Sequence, residues 1–365
     1  MKEAAQDLIA RLKERIAVPD AAKLRQARTH LDDLTKPVGS LGRLEDVATQ
    51  MFALRNGALH APMKKAVYVF AADHGITAEG VSQYPSEVTR QMVLNFLGGG
   101  AAINVLARAN GVAVHVVDVG VDGDLEGLAG LLAYKVRRGS RNMLREPAMT
   151  AEEVAAALGA GAALAEQAAN DGVELLAIGE MGIGNTTAAS AITAALTGAD
   201  AALVTGRGTG LDPAGHLRKQ AVVRAVLAHH FPGLTEGAVP SGALEVLRCV
   251  GGLEVAAMAG MMLGAAGRRI AVVVDGFIST AAAAVACALA PAVRGFMIAG
   301  HRSEEPGHRI LLEWAGLDLQ PLFDLGMRLG EGTGAVLAMP VIEAAVRLYL
   351  EMATFSSAGV SGAKT

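Results

Sequence analysis

The fold is decided by VELLAIGEMGIGNTTAASA, Val173 to Ala191. An unbroken apolar run, Val173 to Ile178, ends in glycines and passes into small residues suited to a helix. Apolarity without alternation marks a strand covered on both faces. A glycine turn feeding a helix N-terminus is a ready anion site, because its backbone N–H groups have no partners in the helix. Two sharper readings of the turn fail. Gly179 and Gly184 have the spacing of a P-loop, but Asn185 stands where that motif needs lysine. Gly182 and Gly184 begin a dinucleotide fingerprint, but Thr187 replaces its third glycine. Two uses remain: holding a single phosphate with backbone N–H groups and the Thr186 hydroxyl, or a tight turn with no ligand. The loop also carries a carboxylate, Glu180, where an anion would sit.

The same pattern recurs outward in both directions. Apolar runs at Ala66–Ala71, Val112–Val119, Ala202–Thr205, Ile270–Val274 and Phe296–Ala299 end in ADHG (72–75), DVG (118–120), TGRGTGLD (205–212), DGFIST (275–280) and GHRSEEPGH (300–308). Strands alternating with longer Ala-rich stretches predict an α/β fold, a parallel sheet with helices on both sides. In such sheets the ligand lies beyond the carboxyl ends of the strands, so these turns should surround one site.

The chain ends read as helix. Ala5, Leu8, Ile9, Leu12 and Ile16 share one face, a second helix covers Ala21 to Leu34, and Ser40 is placed to cap a third. Val341, Ile342, Ala345, Leu348, Tyr349 and Met352 mark an amphipathic helix over Val341–Phe355. We expect residues 1–60 and 335–365 to form a small helical domain, and residues 61–334 a large α/β domain carrying the site. Gly276 to Val293 has no charge and is long enough to raise a membrane helix. It is mostly alanine, contains Ser279, Thr280 and Pro291, and follows a strand, which fits a helix buried on the sheet.

Composition narrows the function. Of 365 residues, 52% are hydrophobic and 19% charged, which argues for a globular chain with a large core. A net charge of −4 without basic clusters excludes a nucleic-acid polyanion as partner. Cys249 and Cys287 lie in apolar stretches without metal-ligand spacing and read as buried thiols. Met1-Lys2-Glu3-Ala4 has no apolar signal core, so a cytoplasmic location without membrane attachment is expected.

Three further loops carry chemistry. TGRGTGLD offers Gly206 and Gly208 for close backbone approach, with Lys219 in the next helix as a cation. LGEGTGA (329–335) fixes a lone acid, Glu331, between Gly330 and Gly332, beside apolar Met327 and Leu329. Apolar neighbours raise a carboxylate toward the range of a general base; an exposed turn glutamate is the alternative. GHRSEEPGHR has no zinc spacing, and Arg302 and Arg309 would repel a cation, so helix entry or anion contact is expected there, not a metal. Asp73 and His74 are either an acid/base pair or a hydrogen-bonded turn, and His229-His230 reads as a helix end.

Taken together, LDDLTKPVGSLGRLE (31–45), AADHGITAEGVSQYPSEVTRQMVLNFLGGGAAINVLAR (71–108), GEMGIGNTTAASA (179–191), TGRGTGLD, DGFIST, HRSEEPGH and LGEGTGAVLAMPVIEAA (329–345) run through nearly the whole chain. On these motifs it resembles the nicotinate-nucleotide–dimethylbenzimidazole phosphoribosyltransferases. The resemblance implies transfer of phosphoribosyl from nicotinate mononucleotide to 5,6-dimethylbenzimidazole, a step in making the cobalamin lower ligand. It implies a Rossmann-like large domain, a homodimer, and neither cofactor nor metal. It makes Glu331 the general base, and GVSQYPSEVTRQ the benzimidazole segment, with Ser82, Tyr84 and Gln91, joined by Leu329. Met181, Gly182, Gly184, Asn185, Thr186, Gly206, Gly208 and Lys219 should hold the nucleotide and its phosphate. Glu180 would then face the electron-poor sugar or pyridinium as a secondary, electrostatic group. Two other readings remain: a nicotinamide-dinucleotide dehydrogenase, which the missing third glycine disfavours, and a non-catalytic nucleotide binder.

Overall fold

The computed structural model describes residues 2–233, 242–314 and 316–361. Six strands form one parallel sheet: β1 (Lys65–Ala72), β2 (Ala113–Gly120), β3 (Leu131–Ala133), β4 (Leu175–Met181), β5 (Ala271–Val274) and β6 (Met297–Ala299). Their order is β3-β2-β1-β4-β5-β6, that of the doubly wound nucleotide-binding sheets. The chain reverses direction across the sheet between β1 and β4, where Phe70 pairs with Glu180 and Ala71 with Met181. A ligand crevice opens at such a switch point, because the helices following the two strands leave toward opposite faces.

Five of the expected strands are present with small shifts at their ends. The exception is Ala202–Thr205, where Ala201–Val204 forms a short helix. Asp200 caps it by accepting the Ala202 N–H at 2.6 Å, and an Ala-rich run with an N-cap favours helix over strand. The sixth strand is instead β3, a three-residue edge piece too short to show periodicity. Ser40 does not cap the third helix: Arg43–Leu54 begins after Gly42, and Glu45 turns back to accept the Leu41 N–H at 3.0 Å.

The central strands are buried on both faces, as their unbroken apolar runs require. Phe277–Leu289 lies across the sheet with nearly every side chain buried; its 13 residues are too few for a bilayer span. Both thiols are free and buried, and burial pushes each up to about 12.

Helices from the two chain ends meet beside the sheet. Ala21–Asp33, Arg43–Leu54 and Thr333–Glu351 pack on one another, with Tyr349 against His30 and Phe52. The first helix, Lys2–Arg15, lies elsewhere, buried through Ile9 and Leu12 against Ala151–Asn170 and Leu253–Gly267. Thr333–Glu351 starts eight residues before the periodicity predicted and carries Pro340 in its interior. Its inner side also touches β4 and β5. Residues 1 and 362–365 of the expected helical unit lie outside the described residues.

Candidate active site

A cavity of about 460 Å³ opens at the carboxyl ends of β1, β4, β5 and β6, within the size range of small-ligand sites. Its floor comes from the end of β4, Glu180 and Met181, and from Gly182, Ile183, Asn185 and Thr186 beyond it. Gly276 to Ile278 after β5, His301, Ser303 and Glu305 after β6, and Arg328 to Glu331 close its sides. Tyr84, Val88 and Met92 form the remaining wall.

Glu331 is placed by its backbone. It has φ +62°, a left-handed conformation that costs a non-glycine residue about 1–3 kcal/mol. A β-carbon on Gly179 of β4 would land on the Glu331 carbonyl, so this glycine lets the LGEGTGA turn rest directly on the strand. Asp275, at the end of β5, accepts the N–H groups of Gly332 (3.2 Å) and Ala335 (2.8 Å) and so caps the helix that follows. The Glu331 carboxylate is buried, with Oε2 accepting the Ile103 N–H at 3.2 Å. Burial and the neighbouring Asp275 charge raise its pKa above the ordinary carboxylate value, against the lowering effect of that N–H.

Glu180 faces the same cavity. Asn185, in the position a P-loop lysine would occupy, turns its amide to Glu180 Oε2. The residue that departs from the phosphate motif therefore anchors the unexpected acid. Desolvation and the charges of Asp275, Glu254 and Glu331 push Glu180 up to about 8. Near neutral pH its carboxyl mostly keeps its proton, whereas the electrostatic role read from sequence needs the anion.

Lys219 is fully buried. Its ammonium donates to Thr186 Oγ1 at 2.7 Å, and among the described residues no ion pair engages it. Desolvation lowers its pKa to about 8, offset in part by Glu305. An ammonium has three hydrogens to donate, so a buried lysine with one neutral partner is set to receive an anion. Gly208 passes close by: a β-carbon there would sit 2.9 Å from Thr186 Oγ1 and 3.0 Å from Lys219 Nζ. Gly184 is the left-handed N-cap of Asn185–Thr197, so the N–H groups of that first turn open toward the same space.

The structure thus brings Glu331, Glu180, Met181, Gly182, Asn185, Thr186, Gly208, Tyr84 and Leu329 to one cavity, with Lys219 behind Thr186 and Gly184 at its edge. Gly206 lies beside Glu305. Ser82 and Gln91 do not line the cavity. Ser82 Oγ accepts the Tyr84 N–H at 3.2 Å, and Gln91 is exposed on its helix. The signal that went unused is Val88 and Met92, an apolar i, i+4 pair on Glu87–Leu97. Phe277, Ile278, Ser303 and Glu305 were likewise missed, although their strand-end turns were recognised. His74 turns away from the cavity to Glu254, Nε2 to Oε1 2.7 Å, with both side chains buried. His308 accepts the Ser303 N–H at Nδ1 (2.8 Å) and lies 2.9 Å from Thr280 Oγ1. Burial lowers it to about 3, so it stays neutral and holds the HRSEEPGH turn. Among the described residues, no group of three or more His, Cys, Asp or Glu side chains is placed to hold a metal ion.

Fold and cavity define a class: a doubly wound α/β protein with a ligand-sized cavity at its switch point, the architecture of nucleotide-dependent enzymes. A family model described as "Phosphoribosyltransferase" matches residues 16–360. The chain belongs to the nicotinate-nucleotide–dimethylbenzimidazole phosphoribosyltransferase family. It is 52% identical over 358 residues to the protein of that name from Desulforudis audaxviator, covering 98% of this chain and 99% of the relative. The Geobacter sulfurreducens protein of the same name is also 52% identical, over 95% of this chain and 96% of its own length. The crystal structure of that phosphoribosyltransferase from Thermus thermophilus superimposes with a TM-score of 0.87 at 51% identity, covering 94% of this chain and all of that one.

Proposed function

We propose that this chain transfers phosphoribosyl from nicotinate mononucleotide to 5,6-dimethylbenzimidazole, giving α-ribazole 5′-phosphate and nicotinate. The observation that carries the reading is a buried carboxylate, Glu331, lining one cavity with Thr186, behind which the buried Lys219 makes no ion pair among the described residues. Family membership supports it.

The chemistry needs little more. Nicotinate mononucleotide carries a cationic pyridinium on C1′, so the C1′–N bond breaks with its electron pair passing to the ring nitrogen, and the leaving group needs no acid. The benzimidazole attacks through one nitrogen while the other gives its proton to Glu331. A single base suffices. Ile103 holds Oε2 of that carboxylate, and Oε1 is left to take the proton. Lys219, Thr186 and the first turn of Asn185–Thr197 hold the phosphate. Attack opposite the departing ring converts the β linkage to α. Glu180 faces the cationic ring; the positive charge draws off its proton and leaves an anion that stabilises the oxocarbenium-like transition state.

For the incoming base we propose the slot between Tyr84 and Leu329, which are 52% and 57% exposed at the cavity mouth. Ser82 supports this segment by fixing the turn that carries Tyr84. A ring stacked on Tyr84 contributes about 0.5–1.5 kcal/mol. Tyr84→Ala is therefore expected to raise KM for the base roughly 2- to 12-fold and leave KM for nicotinate mononucleotide unchanged, measured by initial rates at varied base.

A cytoplasmic homodimer with a large α/β domain, on which Lys2–Arg15 packs, and a helical unit from both termini built of Ala21–Asp33, Arg43–Leu54 and Thr333–Glu351 completes the proposal. The decisive assay incubates the protein with nicotinate mononucleotide and dimethylbenzimidazole. Nicotinate and α-ribazole 5′-phosphate are expected in equal amounts. No nicotinate with any benzimidazole or purine base would leave a nucleotide binder without catalysis.

A further inference from the structure

Glu305 has no part in the scheme above, yet it lines the cavity and is only 7% exposed. It stands at the N-cap position of the helix Pro306–Glu313, but its side chain makes no capping bond. The carboxylate instead leans over TGRGTGLD, where a β-carbon on Gly206 would collide with it. Its Oε2 is buried and has no hydrogen-bond donor among the described residues. An unsatisfied buried carboxylate oxygen costs several times what an ordinary hydrogen bond contributes, so its persistence beside a ligand cavity points to a donor brought by the ligand.

The position narrows that donor. Gly206 underlies Glu305, and two residues further on Gly208 underlies Lys219 and Thr186. Two residues span at most about 7 Å of chain. The acceptor and the anion cradle therefore sit side by side on one turn, a spacing suited to one sugar phosphate. A second anionic group would be repelled by Glu305, and an apolar one would leave Oε2 without a partner. A hydroxyl satisfies it.

We infer that Glu305 accepts a hydrogen bond from a ribose hydroxyl of the bound nucleotide and is the residue that selects ribose over deoxyribose. The inference rests on the proposed function for the identity of the nucleotide, but the geometry requires only a sugar phosphate. Sites built to bond a hydroxyl reject analogues lacking it strongly, because the buried acceptor is then left bare.

The test compares wild type with Glu305→Ala on two readouts. In turnover, kcat/KM for nicotinate mononucleotide is compared with its 2′-deoxy and 3′-deoxy analogues. In binding, ribose 5-phosphate is compared with 2-deoxyribose 5-phosphate by calorimetry, which needs no catalysis. Wild type is expected to prefer the intact sugar by about 100-fold or more in turnover against one of the analogues. In Glu305→Ala that preference should shrink at least about tenfold, the intact sugar losing and the deoxy sugar hardly changing. A smaller change in the preference, or equal losses for both sugars, would make Glu305 merely the counter-charge of Lys219 and overturn the inference. Should alanine fail to fold, Glu305→Gln keeps the shape and must shift the preference in the same direction. If wild type releases no nicotinate while the sugar-phosphate preference still shrinks in the variant, the proposed reaction falls and the hydroxyl contact stands.

Discussion

Glu331→Gln is expected to lower kcat by about 10²- to 10⁴-fold, the usual worth of a positioned general base, with little change in KM for either substrate. Glutamine keeps the length and can still accept the Ile103 N–H that orients the carboxylate, so the loss would belong to the proton transfer and not to the turn. The wild-type acid limb should lie above the ordinary carboxylate range, since burial and Asp275 raise Glu331. A base works only when ionised, so activity rises with pH through that raised value. In the glutamine variant the rise in kcat set by Glu331 should vanish, leaving on the acid side of kcat/KM only the rise set by Glu180. Glu331→Gly is the sharper companion. Glycine adopts φ +62° without the strain glutamate bears, so this variant should lose activity while unfolding no more easily than wild type in a thermal melt. A glutamine variant retaining more than about a tenth of wild-type kcat would remove Glu331 as the base.

That a carboxylate should tolerate such strain was half visible in the sequence. The glycines on either side of Glu331 marked a turn fixed by backbone. Gly179, 152 positions earlier by residue number, gave no hint that it exists to let that turn touch β4. Contacts of this kind are set by tertiary approach, and no local pattern carries them. The strands were legible because a doubly covered strand must be apolar throughout, and only Ala202–Thr205 misled, since so short an apolar run satisfies a capped helical turn as well as a strand. The residues proposed for the phosphate stood out because glycine spacing and a lysine in the next helix are local. The wall proposed for the base stood out less: polar Ser82 and Gln91 drew attention, while the cavity is walled by Val88 and Met92. An apolar ligand is met by apolar residues, which a sequence shows everywhere. Glu305 escaped for a different reason. In HRSEEPGH it reads as helix entry, and only the unbonded side chain over Gly206 separates it from an ordinary cap.

The phosphate cradle makes the second strong demand. Lys219→Met replaces a buried ammonium by an apolar chain of similar length and removes the cation bonded to Thr186 from the proposed phosphate site. Charge-assisted hydrogen bonds contribute about 1.5–3 kcal/mol, so kcat/KM for nicotinate mononucleotide should fall roughly 10- to 150-fold, mostly through KM. Wild type should betray the same group in its pH profile. Lys219 is lowered to about 8 by burial, with Glu305 facing it. The cation is present below that pH and lost above it, so kcat/KM for the nucleotide must decline as pH rises through about 8, and Lys219→Met must abolish this decline. Glu180 works in the opposite sense. Buried, and faced by Asp275, Glu254 and Glu331, it is held up to about 8, and the anion that would favour a cationic pyridinium is lost as pH falls. The two groups together should place the best kcat/KM near pH 8, with Glu180→Gln leaving only the rise set by Glu331 on the acid side and Lys219→Met removing the alkaline side. If Glu180→Gln leaves the acid side untouched, Glu180 serves only to anchor Asn185 at the start of its helix, and the cationic ring is met by Glu331 alone.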